Sequence, residues 1–315
     1  MPRAVVPALV FWMFGALGCG RASREAARFE GAPVVLISVD TLRADRLPAY
    51  GYRGVATPAI DALARDAVVF ENAYSPAPLT LPAHVSLLSG QLPPRHGVRD
   101  NLGYSVTGSG EGTLQALLKK QGYATGAAVS AYVLHRSTGI SAGFDFYDDG
   151  IDASSGGSAI GPAQRPGAET SRLALEWLAG VGARPFLLFL HLYEPHSPYE
   201  APEPYRSRYP DAPYDAEIAA TDAIVGGVID DLKRRGLYDR ALVVLLSDHG
   251  EGLGDHGEEH HGILLYREAL HVPLLVKLPG AARAGTRVAR PVGLVDVMPT
   301  IASLVGVEEP TGLAG

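Results

Sequence analysis

Five stretches of the chain are apolar almost without interruption: "PVVLISVD" ending on Asp40, residues 124–130, "PFLLFLHLYEPH", "ALVVLLSDHG" and "HVPLLVKLPG". Short runs of this kind, rich in β-branched residues, predict strands covered on both faces, as in parallel sheets. Between them the apolar spacing turns helical over residues 58–68, 80–89, 113–121, 170–179, 214–235 and 295–305. Strand and helix therefore alternate, which predicts an α/β sandwich. Residues 151–168 are rich in Gly, Ser, Ala and Pro without periodicity and read as a surface loop or lid.

The first residues follow another pattern. One arginine, Arg3, precedes a nearly wholly apolar stretch over 4–18, and small residues surround Cys19. This is a secretory signal pattern, too short to span a bilayer comfortably. It predicts a signal peptide over 1–18, a polar linker over 19–32 and a single domain over 33–315. Cys19 is the sole cysteine, so no intramolecular disulfide forms. Its place after the apolar run resembles a bacterial lipoprotein cleavage site, with Cys19 as first mature residue. A plain signal peptide or an uncleaved anchor is the alternative. Either way the expectation is an exported protein, periplasmic or at the cell surface, touching membrane only through an N-terminal lipid anchor.

With 47% hydrophobic and 19% charged residues, the chain can build a large core. A net charge of -7 without a long basic run argues against a nucleic-acid partner, but leaves small anionic substrates open.

Polar side chains gather where the apolar runs stop: Asp40 after the first, His191, Glu194 and His196 around the third, Asp248 and His249 after the fourth. In open α/β sheets the ligand site lies beyond the carboxyl ends of the strands, so these groups are expected to share one pocket. "SDHGEGLGDHGEEHHG" packs four histidines among its carboxylates, a donor set that suits a divalent cation. In "APLTLPAHVSLLSG" a helix is expected to start at Thr80, with Pro82 in its first turn and Gly90 at its end. Its free amides and positive dipole end would face an anion. A threonine hydroxyl is a poor nucleophile until a metal or base removes its proton. A metal held by Asp40, Asp248 and His249 would supply that activation.

In order, "VDTLRADRLPAYGY", "TPAIDALARDAVVFENAYSPAPLTLPAHVSLLSGQLPPRHGVRDN", "HLYEPHSPY", "YDAEIAATD", "SDHGEGLGDHG" and "HGILLYREALHVPLLV" resemble segments of the sulfatase family within the alkaline phosphatase superfamily. The resemblance covers about residues 34–305. It implies a three-layer α/β/α sandwich around a largely parallel mixed sheet, with the family's C-terminal subdomain short or missing. It also implies that Asp40, Thr80, Asp248 and His249 ligate a metal, that Thr80 holds the nucleophile's position, and that His196 serves the leaving group. His261 falls where sulfatases have a substrate-contacting lysine and two-metal relatives a metal-binding histidine. Asn101 resembles the asparagine that holds phosphoryl oxygens in two-metal phosphodiesterases.

Several positions depart from the family pattern. Sulfatases carry Cys or Ser, matured to formylglycine, where Thr80 stands, and an arginine where His84 stands. Threonine cannot become that aldehyde, so an ester of Thr80 must be hydrolysed by activated water. Thr41 replaces a second aspartate and His249 an asparagine, and the imidazole moves the metal preference from calcium or magnesium toward zinc or manganese. One ion or two remains open, with Glu194, His196 and His261 available for the second or for acid and base work. His84 and Arg99 are further candidates for binding the anion. The resulting expectation is a metal-dependent hydrolase acting through Thr80 on a sulfated or phosphorylated alcohol, sugar or lipid. The competing expectations are a cell-envelope transferase of phospho groups and a non-catalytic metal-binding relative.

Overall fold

The computed structural model describes residue 1 and residues 27–108, 110–153 and 163–315. The expected signal peptide, Cys19 and most of the linker lie outside the described residues. Among the described residues no helix is long and apolar enough to cross a membrane.

Among the described residues nine strands form one sheet: β1 (Val34–Val39), β2 (Val68–Tyr74), β3 (Ala124–Ala128), β4 (Phe146–Asp148), β5 (Phe186–Leu192), β6 (Leu242–Leu246), β7 (His271–Lys277), β8 (Arg287–Val288) and β9 (Val292–Gly293). The order is β4-β3-β5-β1-β6-β7-β2-β8, with β9 also on β2. The pairs β4/β3, β3/β5, β5/β1 and β1/β6 are parallel, whereas β7 runs antiparallel to both β6 and β2. A mixed, largely parallel sheet was expected, but the β7 run reads like its parallel neighbours because it too is buried on both sides.

The helices are α1 (Pro58–Asp66), α2 (Thr80–Ser89), α3 (Pro93–His96), α4 (Leu114–Lys120), α5 (Gly167–Gly180), α6 (Tyr205–Arg208), α7 (Pro213–Arg234), α8 (Arg267–Leu270) and α9 (Val297–Leu304). β1 shows why its run is unbroken. Val34 and Leu36 join the core that α2, α4 and α9 cover, while Val35, Ile37 and Val39 join the opposite core under α1, α5 and α7. Both faces of the strand are dry, and each such side chain contributes about 2 kcal/mol of burial. The result is a three-layer sandwich.

The flanks of the expected loop over 151–168 are built in rather than free. Arg165 is buried and donates to Asp148, to the Thr170 hydroxyl and to the Val129 carbonyl, and α5 already begins at Gly167. This corrects the surface-loop reading for residues 163–168, where small residues permit close packing.

The first half of α7 buries a carboxyl group. Glu217 is pushed up from 4.5 to about 7, by burial first and then by the charge of Glu194. The folded chain thus keeps a proton that the unfolded chain loses above its ordinary pKa. That contribution to stability is complete below pH 4.5 and disappears as pH rises through about 7. Glu217→Gln keeps the neutral shape. It should therefore be more stable than the parent by roughly 2 kcal/mol near pH 8, with no advantage near pH 4. Thermal unfolding at the two pH values checks this; equal stability at both contradicts it.

Candidate active site

Because β5, β1 and β6 are adjacent and parallel, their carboxyl ends deliver His191, Asp40, Asp248 and His249 to one place. The backbone amide of Asp40 donates to the Leu192 carbonyl at 2.9 Å, which fixes the turn leaving β1. The next residue, Thr41, has a φ of 56°, a left-handed conformation that strains a β-branched side chain. It is held there by Tyr214, whose hydroxyl donates to the Thr41 carbonyl at 2.7 Å. The strained turn sets the Thr41 amide against Asp248.

The hydrogen bonds assign the protons on the imidazoles. His249 Nδ1 lies 2.9 Å from the Gly250 carbonyl, which can only accept, so Nδ1 carries the hydrogen and Nε2 is a bare lone pair. That lone pair faces Asp40 Oδ1 at 3.5 Å and Asp248 Oδ2 at 3.4 Å. The Thr80 hydroxyl oxygen stands 3.3 Å from it. Both oxygens of Asp40 and Oδ2 of Asp248 are buried without a hydrogen-bond donor. Three acceptors converge with nothing positive between them. Burial, then the charge of Asp40, drives the Asp248 carboxyl well above its usual range, and burial pushes His249 down to about 3. Asp40, Asp248 and His249 can offer ligand atoms all within 4.8 Å of one another. A divalent cation fits this donor set, since it satisfies each orphaned atom at once.

His191, fully buried, supports Asp40 from the other side. Its Nδ1 accepts the Ser130 amide at 3.4 Å, which leaves the hydrogen on Nε2, 3.4 Å from Asp40 Oδ2.

α2 begins at Thr80 as expected, and Gly90 closes it at a φ of 65°. The Thr80 side chain does not cap the helix. Asn101 does part of that work, accepting the Leu81 amide on Oδ1 at 2.8 Å. Pro82 has no amide hydrogen, so the expected seat of several free amides is largely filled. The carboxamide nitrogen of Asn101 is left as a donor beside Thr80.

His84 is not where an anion can reach it. It is wholly buried, its Nδ1 donating to the Thr80 carbonyl at 2.7 Å and its Nε2 meeting the Ser38 hydroxyl at 2.8 Å. Burial pushes it down to about 3, so it is neutral. The expectation that His84 binds substrate is corrected: it braces the first turn of α2 against β1. Arg99 is exposed, and among the described residues no contact ties it to the cluster.

The loop after β6 folds back on itself through bonds from Leu253 to Glu259 and from Gly254 to Glu258. The reversal returns His261 to Glu251, whose Oε1 accepts the His261 Nδ1 hydrogen at 3.0 Å. Gly250 permits the crossing, because a β-carbon there would lie 1.9 Å from the Glu268 carbonyl. Arg43 clamps the fold, donating to the Glu251 carbonyl at 3.1 Å and to Asp255 at 2.8 Å. His261 packs against His249 with ring centres 4.4 Å apart, and His196 meets His261 edge-on at 5.0 Å. Burial opposes a charge on His261, but the hydrogen bond and charge of Glu251 outweigh it and raise the pKa. Burial lowers that of His196, whose Nδ1 donates to the Ser197 carbonyl at 2.6 Å.

Glu194 stands apart from these rings. Its Oε1 accepts the Gly167 amide at 2.9 Å at the start of α5. Among the described residues, Glu194, His196 and His261 form no converging ligand group. The expectation of a second ion held by those three is corrected, because Glu194 is engaged by the helix. His191 joins the pocket, as expected from its place at a strand end, whereas Glu251 was missed as a member of the site. The register pairs His191 with Ser38, two residues before Asp40, and so sets it beside that carboxylate.

The family model described as Sulfatase matches residues 33–307, and the chain belongs to the sulfatase family. It is 27% identical to the Ulvan-active sulfatase of Formosa agariphila over 90% of this chain and 63% of that protein. It is 28% identical to the steryl-sulfatase of Rattus norvegicus over 89% of this chain and 68% of that one. The chain thus spans about two thirds of the length of these relatives. The fold is similar to that of the phosphonate monoester hydrolase of Agrobacterium radiobacter, with a TM-score of 0.74 at 22% identity, covering 90% of this chain and 75% of that chain.

The converging acceptors generate a test in which the sign reverses with metal. Asp248→Asn replaces a buried acid that burial and the neighbouring Asp40 keep from ionising when no cation is bound. In chelator it should melt no lower than the parent. With zinc or manganese added, the parent should gain at least about 2.7 kcal/mol at saturating ion and the variant little. Calcium should stabilise the parent less than either. A variant that gains as much from metal as the parent contradicts this ligand set.

Proposed function

We propose that the chain is a metal-dependent hydrolase of sulfate or phosphate esters in which Thr80 is the nucleophile. The single observation that carries this reading is the convergence of the His249 lone pair, the unpartnered oxygens of Asp40 and Asp248, and the Thr80 hydroxyl. The named activities of the two sulfatase relatives support the reaction class. The threonine at position 80 cannot become the formylglycine aldehyde, which favours a phosphate ester hydrolysed through a Thr80 ester.

Asp40, Asp248, His249 and Thr80 would hold the cation. When bound there, a divalent ion lowers the pKa of the adjacent hydroxyl and offsets charge on the transferred group. Thr80 Oγ1 attacks the sulfur or phosphorus, and the bond from that atom to the alcohol oxygen breaks as the new one forms. His196, kept neutral by burial, accepts the hydroxyl proton. The departing alkoxide takes its proton from His261, which Glu251 holds toward the cationic form. Water then attacks the Thr80 ester, giving a proton to His261, and Thr80 recovers its own from His196. Asn101 donates to the anion's oxygens beside the start of α2. Proton donation thus falls to His261 rather than, as expected from the sequence, to His196. The same reading takes the protein as exported and anchored through Cys19.

Thr80→Ala should lower turnover of aryl phosphates and sulfates by about 10³-fold or more even at saturating metal, where Asp40, Asp248 and His249 still hold the ion. Unchanged turnover removes Thr80 from the mechanism. His261→Gln should slow esters of alkyl alcohols by about 10²-fold to 10⁴-fold and nitrophenyl esters far less, because only a poor leaving group needs the proton. Equal losses on both kinds of ester contradict the assignment.

A further inference from the structure

A cavity of about 760 Å³ lies between α5, α7 and the chain that follows β5, a size typical of small-molecule sites. Its wall is mostly apolar, formed by Leu175, Ala220, Ile224 and Val228 with the rings of Tyr193 and Tyr205. His196 also lines it, so the cavity abuts the reacting centre on the side of the imidazole pair.

The polar groups in this wall are unbalanced in charge. Glu194, Glu200 and Glu217 line it against one arginine, Arg172, which is already paired with Glu176. Glu217 is 4% exposed, and its Oε2 has no hydrogen-bond donor. A buried carboxylate oxygen without a partner is costly, and a ligand N–H removes that cost. An anionic ligand would add to the repulsion and a wholly apolar one would leave the oxygen orphaned. A neutral hydroxyl offers a donor but no charge to set against three carboxylates.

We propose that this cavity receives the alcohol portion of the substrate, and that this portion carries an amine whose ammonium group sits against Glu217. The inference rests on the ester-hydrolase reading. It makes the substrate an ester with an anionic end at Thr80 and a cationic end in the cavity, joined by an apolar body. The opposite charges at the two ends orient it, and an ester of a plain or acidic alcohol lacks that second anchor.

Calorimetric titration of the full chain at about pH 8.5, where Glu217 has lost its proton and an alkylamine keeps its own, tests this with three free alcohols: tyramine, 4-ethylphenol and 3-(4-hydroxyphenyl)propionate. They share one ring and differ in the charge of the tail. Tyramine should bind at least about tenfold more tightly than 4-ethylphenol, and the propionate most weakly. In Glu217→Gln that preference should vanish. Gly227→Phe is the second variant: Gly227 lines the cavity, a β-carbon there meets nothing within 4 Å, and the ring should fill the space and abolish binding of all three. Any smaller preference for tyramine, a preference that persists in Glu217→Gln, or binding that survives Gly227→Phe overturns the proposal. The titrations read binding without turnover, so an inactive protein that still prefers tyramine counts against the hydrolase reading and not against the amine site.

Discussion

Asp40 and Asp248 bring two carboxyl groups to a bare imidazole nitrogen of His249, with all three side chains buried. Carboxylate oxygens and an imidazole lone pair at 3.4 to 3.5 Å repel strongly where the dielectric is low. The arrangement is stable only with a cation or a shared proton. The surrounding structure holds it in place regardless. The parallel trio β5, β1 and β6 delivers the ligands, the strained turn at Thr41 aims one amide at Asp248, and Tyr214 on α7 pins that turn. His84 locks the first turn of α2 against β1 and so sets the position of Thr80.

A second layer of groups converts this seat into a reacting centre. The loop after β6 is polar enough to be expected in solvent, yet Arg43 and the crossing at Gly250 fold it back so that one of its later histidines returns to the site. Glu251 then decides the protonation of His261, while His196 on the neighbouring loop is kept neutral by burial. Two imidazoles in contact thus prefer different protonation states, the condition for moving a proton in one direction. The cavity between α5 and α7 begins where this pair ends, which links the chemistry to the choice of alcohol.

Much of this was legible in the residues. β1, β5 and β6 are short apolar runs that stop abruptly on acids and histidines, because a strand buried on both faces has no other place for polar chemistry than its end. α2 was placed to the residue, since Pro82 and Gly90 mark its two ends. β2 was not read, because "VVFENAY" is polar in its middle, where the sheet is only half covered. The roles of His84 and Glu194 were misread for a different reason. Both sit beside true site residues in sequence, but each is consumed by partners that the apolar pattern does not reveal: the Thr80 carbonyl one helical turn back and the distant Ser38 hydroxyl for His84, and the distant Gly167 amide for Glu194. Glu251 escaped notice because a carboxylate in an acidic loop carries no mark of burial until the loop is folded.

The central claim is that a cation joins the hydroxyl at position 80 to side chains from two distant segments, Asp40 on one and Asp248 with His249 on the other. Anomalous diffraction from crystals grown with manganese or zinc tests it most directly. The account predicts a peak about 2.0–2.3 Å from oxygens of Asp40, Asp248 and Thr80 and from Nε2 of His249. A peak elsewhere, or none, with the Thr80 hydroxyl turned away from the carboxylates, would contradict it.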